Sequence, residues 1–241
     1  MKRKVVLAVL LVLAGCGGGG DSSTPAAAPP PQSAPAVAAG RYSFNAEPAN
    51  LVTASDELIY FSKQQLGFGA WNYVGTEARA TITLLNRPID DLGNEFPSAR
   101  TSGTTRALTA SAIGLNNRTA PALTTIPRNW RFANLYRFGA NFVDYTVQID
   151  IDSAGVLTGF DTHGCAFAGE LRERTDAAPL YDARVVTTGC GATAQFIENT
   201  EYKGHAYIEP GPAAGQTVLV INAVNPTQQG GLGLALSLFM R

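Results

Sequence analysis

Two histidines, His163 and His205, are the only imidazoles in 241 residues, so a triad or a metal centre has little to draw on. His163 lies in the run Asp161-Thr162-His163-Gly164, where Asp and Gly mark a turn. His205 lies in an alternating run, opposite in parity to Ala206 and Ile208. No GxSxG elbow places a serine nucleophile near either one. A solvated turn residue is the expectation for His163, and a strand position for His205. Asp150-x-Asp152-x-x-Gly155, with Asp161 further on, has the start of a calcium-loop spacing. Ala154 stands at its fifth position, and Asp161 where a bidentate glutamate belongs. The flanking residues alternate as strand, so Asp side chains bonding their own turn backbone are the better account. Glu170, Glu173, Asp176 and Asp182 form an acidic stretch that a solvated face explains, and nothing pairs two of them across a cleft. The chain has no GxGxxG, no P-loop and no CxxC. No catalytic residue, cofactor or metal is expected.

The chemistry that does stand out is at the start. Lys2, Arg3 and Lys4 precede the apolar run Val5–Leu13, which is too short to span a bilayer. Small residues then lead to Cys16. The sequence Leu13-Ala14-Gly15-Cys16 resembles the bacterial lipobox in full. That resemblance implies diacylglycerol on the Cys16 sulfur, cleavage before it, and acylation of the new amine. Several acyl chains anchor far better than one. Gly17, not aspartate, follows the cysteine, which by the same resemblance favours transfer to the outer membrane. The expected partner of Cys16 is therefore the lipid bilayer, at the periplasmic or the surface face. Residues 1–15 are a signal peptide on this reading. Three of the 18 basic residues leave with it, so 15 remain against 19 acidic ones, which argues against a nucleic-acid partner.

Cysteine usage fits this address. With Cys16 taken by lipid, Cys165 and Cys190 remain, and an even pair in an oxidising compartment reads as a disulfide. Two separate buried thiols are the other reading. Residues 16–40 carry the anchor and the stretch GGGGDSSTPAAAPPPQSAPAVAAG, with no aromatic residue and no periodicity. It has too little apolar surface to offset the entropy of ordering it, so a disordered spacer is expected.

Arg41 begins globular composition, and residues 41–241 are expected to form the folded domain, in one piece or as halves 41–128 and 129–241. Ala78, Ala80, Ile82 and Leu84 alternate with Arg79, Thr81 and Thr83, the period of a half-buried strand. Trp71 and Tyr73 share one side of a run from Phe68 to Val74. Residues 86–128 hold four prolines among many Thr and Ser, and Ala107–Ile113 is open between strand and helical turn. Trp130, Phe132, Tyr136 and Phe138 then share one parity. Val143, Tyr145, Val147 and Ile149 alternate with Asp144, Thr146, Gln148 and Asp150, the cleanest strand of the chain. Cys165, Phe167 and Leu171 face one way and Ala166, Ala168, Glu170 and Arg172 the other. Further strands are predicted at Tyr181–Thr187, Ala194–Glu198, Gly204–Glu209, Thr217–Val224 and Leu232–Met240. Strands of 5–9 residues between Gly, Pro and Asn turns, with no helical period, indicate all-β antiparallel structure. The expected fold is a small barrel or sandwich, lipocalin-like in general shape. Strands of this length and a lipobox both argue against a membrane-spanning barrel.

The runs GVLTGFDTHGCAFAGEL, YKGHAYIEP and TVLVINAVN, with Cys190, resemble a widespread group of proteobacterial lipoproteins of unknown function. Gly159, Asp161, Gly164, Cys165, Phe167 and Gly169 match the group's first element, Cys190 its second, and Gly204, Ala206 and Tyr207 its third. The resemblance implies membership and no activity. Three roles are weighed from the residues. The first is a structural or protein-binding envelope lipoprotein. The second is a lipocalin-like binder of a small apolar ligand, lined by Trp71, Tyr136, Phe138 and Tyr145. The third, ranked last, is an envelope hydrolase.

Overall fold

The structure is a computed structural model that describes residues 37–44, 49–54, 57–62, 64–74, 77–94, 96–109, 113–115, 122–126, 129–175, 180–191, 198–227 and 232–240. The expectations for the signal peptide, Cys16, the spacer up to residue 36 and Asp176 lie outside these residues. So does most of the strand expected at Ala194–Glu198.

The second half of the chain forms a closed barrel. Its strands are β8 (Asn129–Phe138), β9 (Asn141–Ile151), β10 (Val156–Asp161), β11 (Ala166–Glu173), β12 (Tyr181–Thr188), β13 (Thr200–Pro210), β14 (Thr217–Asn225) and β15 (Leu232–Met240). Each pairs antiparallel with the next, and β15 returns to β8 through Phe239↔Arg131 and Met240↔Trp130. Alternation decides the inside. Val147, Ile149 and Ile151 of β9 and Cys165, Phe167 and Leu171 beside and along β11 belong to one buried core. Asp144, Arg172, Asp182 and Arg184 point the other way and are exposed. An apolar inside with a charged outside is the reverse of a water-filled membrane barrel.

Trp130, Tyr181 and Tyr202 are each at most 1% exposed within this core. The 3₁₀ turn Leu123–Thr125 contributes Leu123 and, just after it, Ile126 to the same core. Its start is tied down by the Leu123 N–H, which donates to Glu173 Oε1 at 2.6 Å. Near the far end of β8, Tyr136 is fully buried and stacks on Phe96 with ring centroids 4.0 Å apart. Among the described residues, buried side chains such as these occupy the barrel interior.

The first half forms a curled sheet from β1 (Gly40–Phe44), β2 (Ala49–Ala54), β3 (Glu57–Ser62), β4 (Gln65–Val74), β5 (Glu77–Asn86), β6 (Ser98–Thr109) and the short β7 (Ile113–Leu115). Strands β1 to β6 pair in chain order, and β7 pairs with β1 at the far edge. Only residues 110–112 join β6 to β7, a span of at most about 15 Å at 3.8 Å per Cα step. The two edges of the sheet are therefore held close together, and the sheet must bend round on itself. Its inner face buries Tyr42, Leu51, Leu58, Tyr60, Trp71 and Ile82 as a second core. Its other face lies on the outside of the barrel: Val52 packs with Tyr207, Val218 and Val220, and Ile59 with Val224. The halves are also continuous through β15, whose Leu232–Leu234 pair with Ser98–Arg100 of β6.

Two expectations change. Ala107–Thr109 is strand, the end of β6, Ile113 begins β7, residues 110–112 lie outside the described residues, and residues 98–109 form one of the longest strands. Strand lengths also exceed the 5–9 residues expected, since β4, β5 and β8 have ten residues and β9 and β13 eleven. Main-chain pairing runs on past the apolar alternation into polar residues, as where Phe138 pairs with Asn141. Strand length is thus no longer an argument against a membrane barrel here; the polarity of the two faces is.

Candidate functional site

The four aromatic positions named from sequence do not form one site. Trp71 belongs to the core of the curled sheet, while Tyr136 and Tyr145 lie in the barrel with ring centroids 6.1 Å apart. Phe138 ends β8, and its side chain is outside the described residues. Tyr145 instead completes a turn. Its hydroxyl donates to Asp161 Oδ2 at 2.9 Å, and its ring stacks on His163 at 5.1 Å. Asp161 Oδ1 accepts the N–H groups of His163 and Cys165, both at 2.9 Å. Asp161 is thus the turn cap expected from the Gly-x-Asp-x-x-Gly-Cys run. Burial, and then the charge of Asp161, push the Tyr145 hydroxyl well above its usual range. Asp152 caps the preceding turn in the same way, accepting from Ala154 and Val156. Among the described residues no group of three His, Cys, Asp or Glu side chains could hold a metal.

Cys165 and Cys190 are joined as a disulfide, with Cα atoms 3.9 Å apart. It ties the β10–β11 turn to the end of β12. The Gly191 N–H donates to the His163 carbonyl across the same junction. His163 is thereby placed as a half-buried turn residue beside Tyr145.

A large hollow lies on the outside, between β3 and β4 of the curled sheet and β11 to β14 of the barrel. It has two adjoining parts of about 630 and 590 Å³, and Glu57, Lys203 and Gly204 line both. The first part is charged. Its wall includes Glu170, Arg172, Arg174, Asp182, Arg184 and His205. The second is mostly apolar, with Leu58, Ile59, Phe68, Ala70, Val224 and Pro226. Gly204 sets how closely the walls approach. A Cβ there would fall 2.1 Å from the Asn222 carbonyl oxygen and 2.9 Å from Ile59 Cδ1.

Ion pairs organise the charged part. Arg172 pairs with Glu170 at 2.9 Å, and Arg174 with Asp182. Glu201 is shared by Arg184 at 2.7 Å and by Lys203 at 3.5 Å. Both lysine and arginine hold the Glu201 carboxyl below its usual range, Arg184 through its hydrogen bond foremost. His205 is 4% exposed, with Nδ1 3.4 Å from Asp182 Oδ1. The neighbouring imidazole, ahead of Arg174, holds the Asp182 carboxyl low against the opposing effect of burial. This is a histidine–carboxylate pair at a cleft, which sequence parity did not reveal. Among the described residues, the wall of the charged part carries no hydroxyl or thiol for the pair to activate.

Next to it, Arg41 of β1 pairs with Glu209 of β13 at 2.7 Å, and its guanidinium lies 3.7 Å from the Tyr207 ring centroid. Burial pushes the Tyr207 hydroxyl up to about 12, although Arg41 pulls the other way. This contact fastens the curled sheet to the barrel beside the cleft.

Comparison with known protein families, curated proteins and solved structures finds no match to this chain. The cleft residues come from segments near 57–70, 170–184, 201–205 and 224–227, and no local motif links them.

Proposed function

We propose that this chain is an envelope lipoprotein, anchored to the outer membrane through acylated Cys16, whose domain is a non-catalytic binding module. The partner is taken up in the outer cleft, not inside the barrel. One observation carries this reading. The barrel interior is filled by residues such as Trp130, Tyr181 and Tyr202, while the exterior bears a two-part hollow of about 630 and 590 Å³. Ligand sites are generally hollows of about 300–1,000 Å³, with an apolar lining and a few placed polar groups. Both parts fall in that range.

The small-ligand alternative, moved from the barrel interior to this cleft, is favoured by the apolar half. The hydrolase alternative has His205 and Asp182 in its favour. No described residue of the surrounding wall is a hydroxyl or thiol nucleophile, and the pair is better explained as part of the ion-pair lattice.

A photo-crosslinking residue at Ala70, in the cleft, should give adducts of discrete mass in intact cells. The same residue at Thr158, exposed on β10, should give none. Identical adducts from both positions would refute the cleft as the binding surface. For the anchor, a palmitate analogue should label the wild type and not Cys16→Ser.

A further inference from the structure

We propose that the cleft binds a single-chain zwitterionic amphiphile, an acyl chain carrying a phosphoethanolamine head. This rests on the reading of the cleft as the binding surface. The acyl chain lies in the apolar part, against Ile59, Phe68, Ala70 and Val224. The head sits on the stretch of wall common to both parts, where Glu57 and Lys203 stand.

Three observations lead there. First, the two parts divide by polarity. A ligand filling both must be apolar at one end and charged at the other. Second, the charges at the junction are of both signs and are the loosest in the cleft. Lys203 is 75% exposed and reaches Glu201 only at 3.5 Å, on a carboxylate that Arg184 already holds at 2.7 Å. Glu57 is exposed and makes no ion pair among the described residues. A phosphate can take the Lys203 ammonium, and the ammonium of the head can donate to Glu57. The arginines further in are paired with Glu170 and Asp182 and need not be displaced. Third, the walls offer no strand edge. β3, β4, β13 and β14 are each paired on both sides, so an extended peptide would find no free main-chain ladder to join. An acyl chain needs none.

The test uses residues 16–241 carrying Cys16→Ser, which brings no acyl chain of its own. A fluorescent lysophosphatidylethanolamine is titrated below its micelle concentration, beside lysophosphatidylglycerol and a free fatty acid. The ethanolamine lipid should bind about tenfold more tightly than the glycerol one, the worth of one charge-assisted hydrogen bond. Glu57→Gln should remove that advantage and leave the glycerol lipid unchanged. Lys203→Gln should weaken both phospholipids. Ala70→Trp, at an exposed site that fills the apolar part, should abolish binding while leaving the urea midpoint unchanged. Equal affinity for all three heads, or binding that survives Ala70→Trp, would overturn the proposal. If no lipid binds and the Ala70 photo-adduct is a protein, the ligand class is wrong and the cleft reading stands. If neither lipid nor adduct is found, both fall.

Discussion

Removing the carboxylate of Asp161 isolates the energetics of the turn that the sequence motif encodes. Asp161 is 6% exposed, and its two oxygens accept three hydrogen bonds. Asp161→Ala strips all three acceptors. The Cys165 N–H belongs to a residue with no exposure and cannot turn to water. The His163 N–H and the Tyr145 hydroxyl belong to half-buried residues and can be rehydrated. One stranded buried donor costs about 1–3 kcal/mol, and with the two other bonds exchanged for water a loss of about 3 kcal/mol is expected. Asp161→Asn keeps an oxygen for both amides and turns its NH₂ toward the Tyr145 oxygen, which can accept. About 1 kcal/mol should be lost. Tyr145→Phe should cost about 1–2 kcal/mol in the wild type and close to nothing in Asp161→Ala, because its partner is already gone. The assay is equilibrium urea unfolding of the non-acylated chain with the disulfide intact, read as free energy at constant m. If Asp161→Asn were as costly as Asp161→Ala, or if Tyr145→Phe cost the same in both backgrounds, the turn would not be held by these bonds.

Gly169→Ala should be severely destabilising, about 3 kcal/mol or more, because its Cβ would fall 1.9 Å from the Arg184 carbonyl oxygen on the paired strand. Gly103→Ala is the control. At φ +70° with nothing within 4 Å, only backbone strain is added, and about 1 kcal/mol should register in the same urea titration. Replacing Cys165 and Cys190 together by serine should cost about 3–4 kcal/mol on the loop-entropy account, for a separation of 25 residues. An unchanged midpoint would mean that the unfolded state is already constrained. The Asp182 carboxyl lies below its ordinary value of 3.8 in the folded state, chiefly through His205. Its contribution is therefore present above that value and is lost as the pH falls through the lower folded one. Asp182→Asn should flatten the acid limb of stability below about pH 4, measured by thermal unfolding across pH. An acid limb of unchanged slope would argue against the coupling.

How much of this could be read in advance depended on whether one face of a strand meets water. β9 and β11 have an apolar inner face and a polar outer one, and their period of two gives parity and turn together. The curled sheet is different, since it carries a core on one side and the barrel on the other. Leu58, Ile59 and Tyr60 are consecutive and all buried, so alternation vanishes where packing is densest. β6 was obscured for the opposite reason. Its sequence, SARTSGTTRALT, is polar, and its pairing with β5 shifts register between Thr83 and Leu85. Two anchors, Ala99 and Leu108, are buried nine positions apart, too sparse for a period to show. Asp161, Cys165 and Cys190 were legible because turns and disulfides are chemically local or countable. His205 was not. Its parity correctly placed it outside the barrel, yet it is buried because the curled sheet covers that outside.

The same covering explains why a site exists at all. The outer wall of a small barrel is convex, and a convex surface cannot enclose a ligand. The inner wall is concave, but eight strands leave room only for side chains or one small ligand, and here Trp130, Tyr181 and Tyr202 take that room. Concavity has to come from a second wall. β3 and β4 supply it by laying Ile59 and Phe68 against the barrel beside Val224, with Gly204 permitting the contact and Arg41, Glu209 and Tyr207 fastening the sheet at one side. The fastening and the cleft should therefore be separable from the barrel. Arg41→Ala removes the Glu209 pair and the cover over Tyr207 without touching a residue of the barrel core. Its effect should be local. Amide exchange should accelerate in β1 to β3 and affinity at the cleft should fall, while β9 to β12 keep their protection. Uniform acceleration across both halves would show instead that sheet and barrel unfold as one unit, and that the cleft cannot open without the barrel.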